Sequence, residues 1–234
     1  MKILVIPDVH LKPEMFKRAS AILKKGHADR AVCLMDIADD WNREYDVDLY
    51  TKTYDTAIAF AKKYPETLWC YGNHDLSYVW MEMESGFSSM MLPTVSRKMY
   101  ELKECVGDRI AYIHRVDDHL FMHGGLLMEF VLKYVPKEDQ DDVDNVISFI
   151  NGLGKEEIWQ DTSPVWSRPQ YYEEDMYGAD TFTQVVGHTP VEKIYKKGNV
   201  ISCDVFSTRG DGSPIGTQEF LIIDTETDEY ISVK

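Results

Sequence analysis

The N-terminal third of the chain alternates short apolar runs with segments of helical periodicity, and this alternation restricts the fold more than any other feature. Apolar runs at 2–6, 29–35 and 67–71 are separated by segments at 13–25 and 49–64 whose apolar residues recur with a helical period. Strands that alternate with helices in this way predict a mostly parallel sheet with the helices packed against it.

The rest of the chain has shorter predicted elements. The segment 76–104 is rich in Met and Ser and has mixed helical signals, whereas 126–135 and 143–150 have helical periodicity. Further strands are predicted at 110–113, 120–122, 183–186, 191–195, 200–203, 220–223 and 230–233. Lys197-Gly198-Asn199 predicts a hairpin turn. The closely spaced strands of the last third favour a second, mostly antiparallel sheet packed on the first.

The composition is that of one folded domain. Apolar residues make up 44% of the 234 residues, which is enough for a sizeable core, and no shift in composition marks a linker. We therefore predict a single domain over residues 1–234. The formal net charge of −15 argues against extended nucleic-acid binding, because such a surface repels a phosphate backbone.

Cysteine usage and hydropathy indicate where the protein works. The four cysteines have no CxxC spacing, and Cys33, Cys70 and Cys203 lie in apolar, strand-like runs, which is typical of reduced, buried thiols. No apolar run is long enough for a signal peptide's central region or a membrane span. These features predict a cytoplasmic protein with no membrane partner.

Side chains of metal-binding type follow five of the predicted strands. They are Asp8 and His10, Asp36 and Asp39, Asn73 and His74, His123, and His188. Taken singly, each is as readily a surface carboxylate or a structural histidine. Because ligands of open α/β sheets bind beyond the carboxyl ends of the strands, the set in register predicts that these side chains meet at one site.

The residue types indicate a divalent metal site. Carboxylate oxygen, amide oxygen and imidazole nitrogen are ligands of hard and borderline divalent ions. Asp8 and His10 lie two residues apart, so the backbone can aim both at one ion, and a carboxylate such as that of Asp36 can bridge two ions. Two ions roughly 3.5–4 Å apart can activate a shared water and stabilise both the attacking and the leaving oxygen of a phosphoryl transfer.

Five short motifs resemble those of the calcineurin-like metallophosphoesterases and occur in that family's order. They are Asp8-Val9-His10 for DxH, Asp36-Ile37-Ala38-Asp39 for GDxxD, Gly72-Asn73-His74-Asp75 for GNH[DE], His123-Gly124-Gly125 for HGG, and Gly187-His188 for GH. The set spans most of the chain. Chain length and the segment 178–190 look most like the compact bacterial and phage Ser/Thr-type phosphatases. The resemblance implies a four-layer α/β/β/α sandwich, with two packed mixed β-sheets flanked by helices.

The resemblance also implies a role for each matching residue. The implied metal ligands are Asp8, His10 and Asp36 for one ion, and Asp36, Asn73, His123 and His188 for the second. A hydroxide that bridges the ions would attack phosphorus, His74 would stabilise the transition state or protonate the leaving group, and Asp39 would orient His74. Arg168 resembles an arginine that binds the phosphate. Manganese is the expected metal, with iron or zinc as alternatives.

The chain departs from the family pattern at several positions. Met35 replaces the glycine that is usual before the bridging carboxylate. Pro190 stands where some members supply another histidine to the first ion, so that ligand is absent. Asp40 stands where the protein phosphatases have an arginine, which removes a phosphate anchor unless Arg43 replaces it. Asp204 lacks its usual Thr-Gly neighbours, so a supporting role for it is weak.

Three functions fit these observations. The favoured one is a phosphomonoesterase resembling the protein phosphatases, whose substrate is a phosphoprotein or a phosphorylated small molecule. A phosphodiesterase or dinucleoside polyphosphate hydrolase would share the metal site and differ in the pocket walls. A non-catalytic metal-binding scaffold is the third, but degenerate members tend to lose the catalytic histidine or several ligands. This chain keeps His74 and all six ligand positions, which argues for an enzyme.

Overall fold

A computed structural model describes residues 1–171 and 175–234. Within these residues the strands are β1 (Lys2–Ile6), β2 (Arg30–Cys33), β3 (Leu68–Cys70), β4 (Ile110–Ala111), β5 (Ile113–Val116), β6 (His119–Met122), β7 (Thr183–Val186), β8 (Tyr195–Lys197), β9 (Val200–Ser202), β10 (Phe220–Asp224) and β11 (Glu229–Val233). The α-helices are α1 (Glu14–Lys24), α2 (Val47–Lys63), α3 (Asn73–Trp80), α4 (Leu92–Val106), α5 (Met128–Tyr134), α6 (Val143–Asn151) and α7 (Lys155–Ile158).

The strands form two mixed sheets. The first has the order β11-β10-β1-β2-β3-β4, and the second has the order β5-β6-β7-β9-β8. β1 to β4 are parallel neighbours in the first sheet, with β10 antiparallel to β1. The apolar character of β1 on both faces suits this central position, because a parallel strand is covered on both sides.

Three apolar cores show how the layers pack. One core joins the first sheet to α1, α2 and α4, and another joins the second sheet to α5 and α6. The third contains side chains of both sheets, among them Val5 and Val32 from the first and Phe121 and Val185 from the second. The α/β/β/α sandwich of two packed mixed sheets is therefore confirmed.

The predicted strand at 110–113 is wrong as a single element, because the chain changes sheets within it. β4 belongs to the first sheet and β5 to the second, with Tyr112 between them. The amide oxygen of Asn151 accepts hydrogen bonds from the backbone N–H groups of Tyr112 and Ile113, both at 3.0 Å. Asn151 thus satisfies the donors that the break in the ladder leaves unpaired.

The prediction that the second sheet is mostly antiparallel is also wrong. β6, β7 and β9 are parallel, and the crossover from β6 to β7 contains α5, α6 and α7. Parallel pairing needs a long connection, and these helices provide it. The last two strands join the first sheet instead. Residues 191–194 are not a strand, since β8 begins at Tyr195, but the predicted hairpin does join β8 to β9 through Gly198.

The helices largely match the predictions. α1 and α2 lie within the predicted segments to a few residues, and Asp46 caps α2 by accepting a hydrogen bond from the Leu49 N–H at 3.1 Å. The segment 76–104, with its mixed signals, contains most of α3 and α4 around an irregular loop. No helix in the described ranges has both the length and the apolar character of a membrane span.

Candidate active site

The predicted site residues meet where the two sheets adjoin at the carboxyl ends of their parallel strands. His123 follows β6 of one sheet and Asp36 follows β2 of the other, yet His123 Nε2 lies 3.1 Å from Asp36 Oδ2. The structure brings together Asp8, His10, Asp36, Asp39, Asn73, His74, His123, Arg168 and His188. These side chains therefore lie together beyond the carboxyl ends of the strands, as the rule for open α/β sheets predicts.

Asp36 is the centre of this cluster. Its carboxylate belongs to two groups of possible ligands, one with His10 and His74 and the other with His123 and His188. Within each group the ligand atoms lie within 4.8 Å of one another. A carboxylate shared by two groups is the arrangement that a bridging ligand needs.

Several of the site residues have left-handed backbone conformations. The φ angles are +40° at His10, +59° at Met35, +41° at Asp36, +60° at Asp39 and +59° at His188. Such conformations strain residues other than glycine and cluster at functional sites. Met35 occupies the position where glycine is usual in the family that the five motifs resemble. A positive φ angle explains that preference, because glycine adopts it without strain.

Two glycines let the buried carboxylates lie against the backbone. A Cβ at Gly72 would collide with the carboxylate of Asp36, and one at Gly187 would collide with that of Asp8. Backbone N–H groups occupy these contacts instead. The N–H of His74 donates to Asp36 Oδ1 at 2.9 Å, and the N–H of His188 donates to Asp8 Oδ2 at 2.9 Å.

Backbone carbonyl groups orient two imidazoles toward the cluster. His123 Nδ1 lies 2.8 Å from the carbonyl oxygen of Leu34, and His10 Nδ1 lies 2.9 Å from that of Asp39. Such a partner fixes the ring and leaves Nε2 for a metal. His188 Nε2 is buried and has no hydrogen-bond partner among the described residues. The carboxylate oxygens and imidazole nitrogens of this cluster are ligand atoms that fit divalent ions.

The pKa shifts of the clustered side chains also indicate a site for a cation. Burial and the neighbouring carboxylate of Asp204 raise the pKa of Asp8 well above its usual value. Burial opposes protonation of His123, but the carboxylates of Asp36 and Asp8 raise its pKa to about 9. Burial and the charges of His123 and Arg168 lower the pKa of His188. Crowded carboxylates beside a neutral imidazole form a site that a cation would stabilise.

His74 and Asp39 form a hydrogen-bonded pair at the floor of a pocket. His74 Nδ1 lies 2.9 Å from Asp39 Oδ2. The hydroxyls of Tyr50 and Tyr78 both donate to Asp39 Oδ1, at 2.5 and 2.6 Å. Although burial opposes the charged form of His74, the carboxylates of Asp36 and Asp39 raise its pKa to about 10. The carboxylates therefore favour the protonated form of His74, and its Nδ1 is already engaged by Asp39.

The pocket above this pair has a volume of about 580 Å³. Its apolar walls include Trp41, Phe87 and Ile215. Arg168 lines it as well, and its Nη1 donates to the carbonyl oxygen of His188 at 2.8 Å. The pocket thus combines the metal-binding cluster, a guanidinium and an apolar wall.

Asp40 occupies one wall and is held as an anion. Thr208 Oγ1 donates to its Oδ1 at 2.6 Å, and Lys12 Nζ donates to its Oδ2 at 3.2 Å. Burial opposes ionisation, but Lys12 and the hydrogen bond from Thr208 lower the pKa of Asp40 overall. Arg43 lies 3.9 Å from Asp46 and is not among the lining residues of the described pocket, so it does not replace the missing arginine.

Sequence reasoning missed several side chains that support the site. Asp204, whose supporting role the altered motif made weak, follows β9 and is only 1% exposed, so a sixth strand end also carries a buried carboxylate. Tyr50, Tyr78 and Glu84 carry no motif. The helical positions of the two tyrosines give a faint signal, whereas Glu84 lies in an irregular loop and gives none.

Comparison with known proteins identifies the family. Residues 1–218 match the family model described as calcineurin-like phosphoesterase. The chain belongs to the calcineurin-like phosphoesterase family. The resemblance drawn from the five motifs is thereby confirmed, and the protein is a metal-dependent phosphoester hydrolase. The family has a dinuclear divalent metal site, for which this chain has candidate ligand groups.

Solved structures of phosphatases share the fold of this family member. A cold-active protein-tyrosine phosphatase of a psychrophilic Shewanella species gives a TM-score of 0.56 at 16% identity, covering 100% of this chain and 80% of that one. A protein serine/threonine phosphatase from Saccharomyces cerevisiae gives a TM-score of 0.53 at 14% identity, covering 95% of this chain and 72% of that one. A search of curated proteins found no match.

Proposed function

We propose that this phosphoesterase is a two-metal phosphomonoesterase. The observation that carries the proposal is the shared position of Asp36 between two groups of ligands, beside the His74–Asp39 pair. Asp8, His10 and Asp36 would hold one ion. The second would be held by Asp36, Asn73, His123 and His188. When bound, the ions would neutralise phosphate charge and lower the pKa of the attacking water.

His74 serves as the proton donor in this proposal rather than as a metal ligand. One of its nitrogens lies within 4.8 Å of ligand atoms of His10 and Asp36, so ligation has to be considered. However, the partner of its Nδ1 is the carboxylate of Asp39, whereas His10 and His123 have backbone carbonyl partners, and a carboxylate stabilises the protonated ring. Asp39 holds Nδ1, which leaves Nε2 to protonate a leaving oxygen.

Arg168 and Asp40 favour a substrate with one phosphoryl group. Arg168 lines the pocket beside His188, where a planar guanidinium can bind two phosphate oxygens. Asp40 stands on the wall where the protein phosphatases have an arginine, so this wall lacks that anchor for a second phosphate, which disfavours dinucleoside polyphosphates. We therefore propose a phosphorylated small molecule or a phosphoprotein as substrate, and manganese as the metal to test first.

Parallel assays of p-nitrophenyl phosphate and bis-p-nitrophenyl phosphate test the proposal. The protein is stripped of metal and then assayed with and without added Mn²⁺. We expect Mn²⁺-dependent hydrolysis of the monoester at a higher kcat/KM than that of the diester. An Asp36→Asn variant serves as the negative control. Preferential cleavage of the diester would refute the monoesterase assignment, and cleavage of neither by protein with two bound ions would favour a scaffold.

A further inference from the structure

The side chain of Asn73 can bind a metal only through its amide oxygen, although its two ends have nearly the same shape. In the structure Asn73 Oδ1 lies 3.0 Å from His123 Nε2 and faces the ligand cluster. Asn73 Nδ2 points away and donates to Glu84 Oε2 at 2.8 Å. The amide orientation therefore depends on which groups lie at its two ends.

Glu84 comes from the loop between α3 and α4 and is held against the site. Its side chain is 9% exposed, and its backbone carbonyl oxygen accepts from the Phe87 N–H at 3.2 Å. Phe87 stacks on Tyr78 with the ring centroids 4.6 Å apart, and the Ser88 N–H donates to the Tyr78 hydroxyl at 2.9 Å. These contacts fix the loop on the same helix that presents Asn73.

We infer that Glu84 is a positioning residue that selects the metal-binding orientation of the Asn73 amide, an inference that rests on the proposed metal site. Glu84 Oε2 is the acceptor of the hydrogen bond that Asn73 Nδ2 donates. A flipped amide would place its oxygen against Glu84 and its NH₂ group among the metal ligands, which loses the hydrogen bond and brings two acceptors together. Glu84 therefore favours the orientation that presents Oδ1 to the ion.

Glu84 also lies near His74, but this contact does not explain the position of the Glu84 side chain. Glu84 Oε1 lies 3.5 Å from His74 Nδ1, but that nitrogen is already engaged by Asp39 at 2.9 Å. Oε1 has no hydrogen-bond partner in the described part of the chain. The directed hydrogen bond of Glu84 is thus the one to Asn73, and the metal ligand rather than the proton donor is the group it orients.

Calorimetric titration of metal-stripped protein with Mn²⁺ tests this inference without an activity measurement. Glu84→Ala should lower the affinity for one of the two Mn²⁺ ions by about 10- to 100-fold, the usual effect of removing a group that orients a ligand. Glu84→Gln keeps an acceptor for Asn73 Nδ2 but adds an NH₂ group that can pair with the flipped amide, so it should restore only part of the affinity. Glu82→Ala is the matched control from the same loop, because Glu82 pairs with Lys155 instead of Asn73.

A double-mutant cycle separates orientation from a general effect of the loop. In an Asn73→Asp background both ends of the side chain are oxygen, so orientation no longer matters, and Glu84→Ala should cost clearly less affinity than it does in the wild-type background. Equal losses from Glu84→Ala in both backgrounds would overturn the inference, as would wild-type affinity in Glu84→Ala or an equal loss in Glu82→Ala. Failure of the wild-type protein to bind Mn²⁺ would refute the proposed function and the inference with it.

Discussion

Raising the pH from 7 to 9 should destabilise the metal-free protein. His123 and His74 have pKa values raised to about 9 and about 10, because the carboxylate of Asp36 and its neighbours outweigh the opposing effect of burial. Both values exceed the ordinary value of 6.5 that applies to the unfolded chain. The stability that these imidazoles contribute is therefore fully present below pH 6.5 and is lost as the pH rises through 9 to 10.

The size of the effect follows from the number of protons. Each such imidazole carries one more proton in the folded state than in the unfolded state, which corresponds to about 1.4 kcal/mol per pH unit. For His123 alone, the shift from 6.5 to about 9 sets a limit of about 3 kcal/mol. His74 adds less than its own full shift, because both imidazoles interact with Asp36. Burial and Asp36 raise the pKa of Asp75 to about 7, so the contribution of Asp75 to the pH dependence of stability falls mainly below pH 7.

Urea unfolding in the presence of a chelator measures this slope at pH 7, 8 and 9. His123→Asn should reduce the slope by about one proton, whereas His27→Asn, at an exposed position outside the cluster, should leave it unchanged. Saturating Mn²⁺ should also flatten the slope, because an imidazole must be neutral to bind a metal. Constant stability of the metal-free wild-type protein from pH 7 to 9 would refute the electrostatic account of the cluster.

Three substitutions test the roles of single residues. His74→Asn should lower kcat by roughly two to four orders of magnitude with both ions still bound; turnover near that of the wild type would remove His74 from the mechanism. Asp36→Asn should lower the affinity for both ions, because the Asp36 carboxylate belongs to both ligand groups; two fully occupied metal sites in this variant would disprove bridging. Tyr54→Phe removes a 2.9 Å hydrogen bond to the buried Asp75 and should cost about 1–3 kcal/mol in urea unfolding; an unchanged midpoint would contradict this.

The meeting of these side chains in the structure could be predicted from local sequence patterns. Asp8 and Asp36 stand just after buried strands, and the rule for parallel sheets places such residues at one edge. Gly72 and Gly187 belong to two other motifs, GNH[DE] and GH, for a steric reason, because a side chain at either position would collide with the carboxylate of Asp36 or Asp8. Each of these features lies within a few residues of a strand end, which is why the sequence was sufficient.

The supporting contacts were not predictable, because they join distant parts of the chain. Tyr50 and Tyr78 meet on one oxygen of Asp39 only after α2 and α3 have packed against the sheet. Glu84 reaches Asn73 from a loop without periodicity. Nothing in the local pattern of these residues distinguishes them from ordinary helix or loop positions.

The errors in strand pairing have the same origin. Short apolar runs predict strands, but their partners depend on the connections and on burial in the whole fold. β10 pairs with β1, with Leu221 opposite Val5, although more than two hundred residues separate them. The change of sheet at Tyr112 depends on the amide of Asn151, which is equally remote in sequence.

The most direct test of the two-metal account is hydrolysis of p-nitrophenyl phosphate as a function of bound metal. Metal-stripped protein is titrated with Mn²⁺, and turnover is compared with the number of ions bound per chain. The account predicts that turnover rises until two ions are bound per chain and then stays constant. Full turnover without metal, or no turnover with two ions bound, would contradict it.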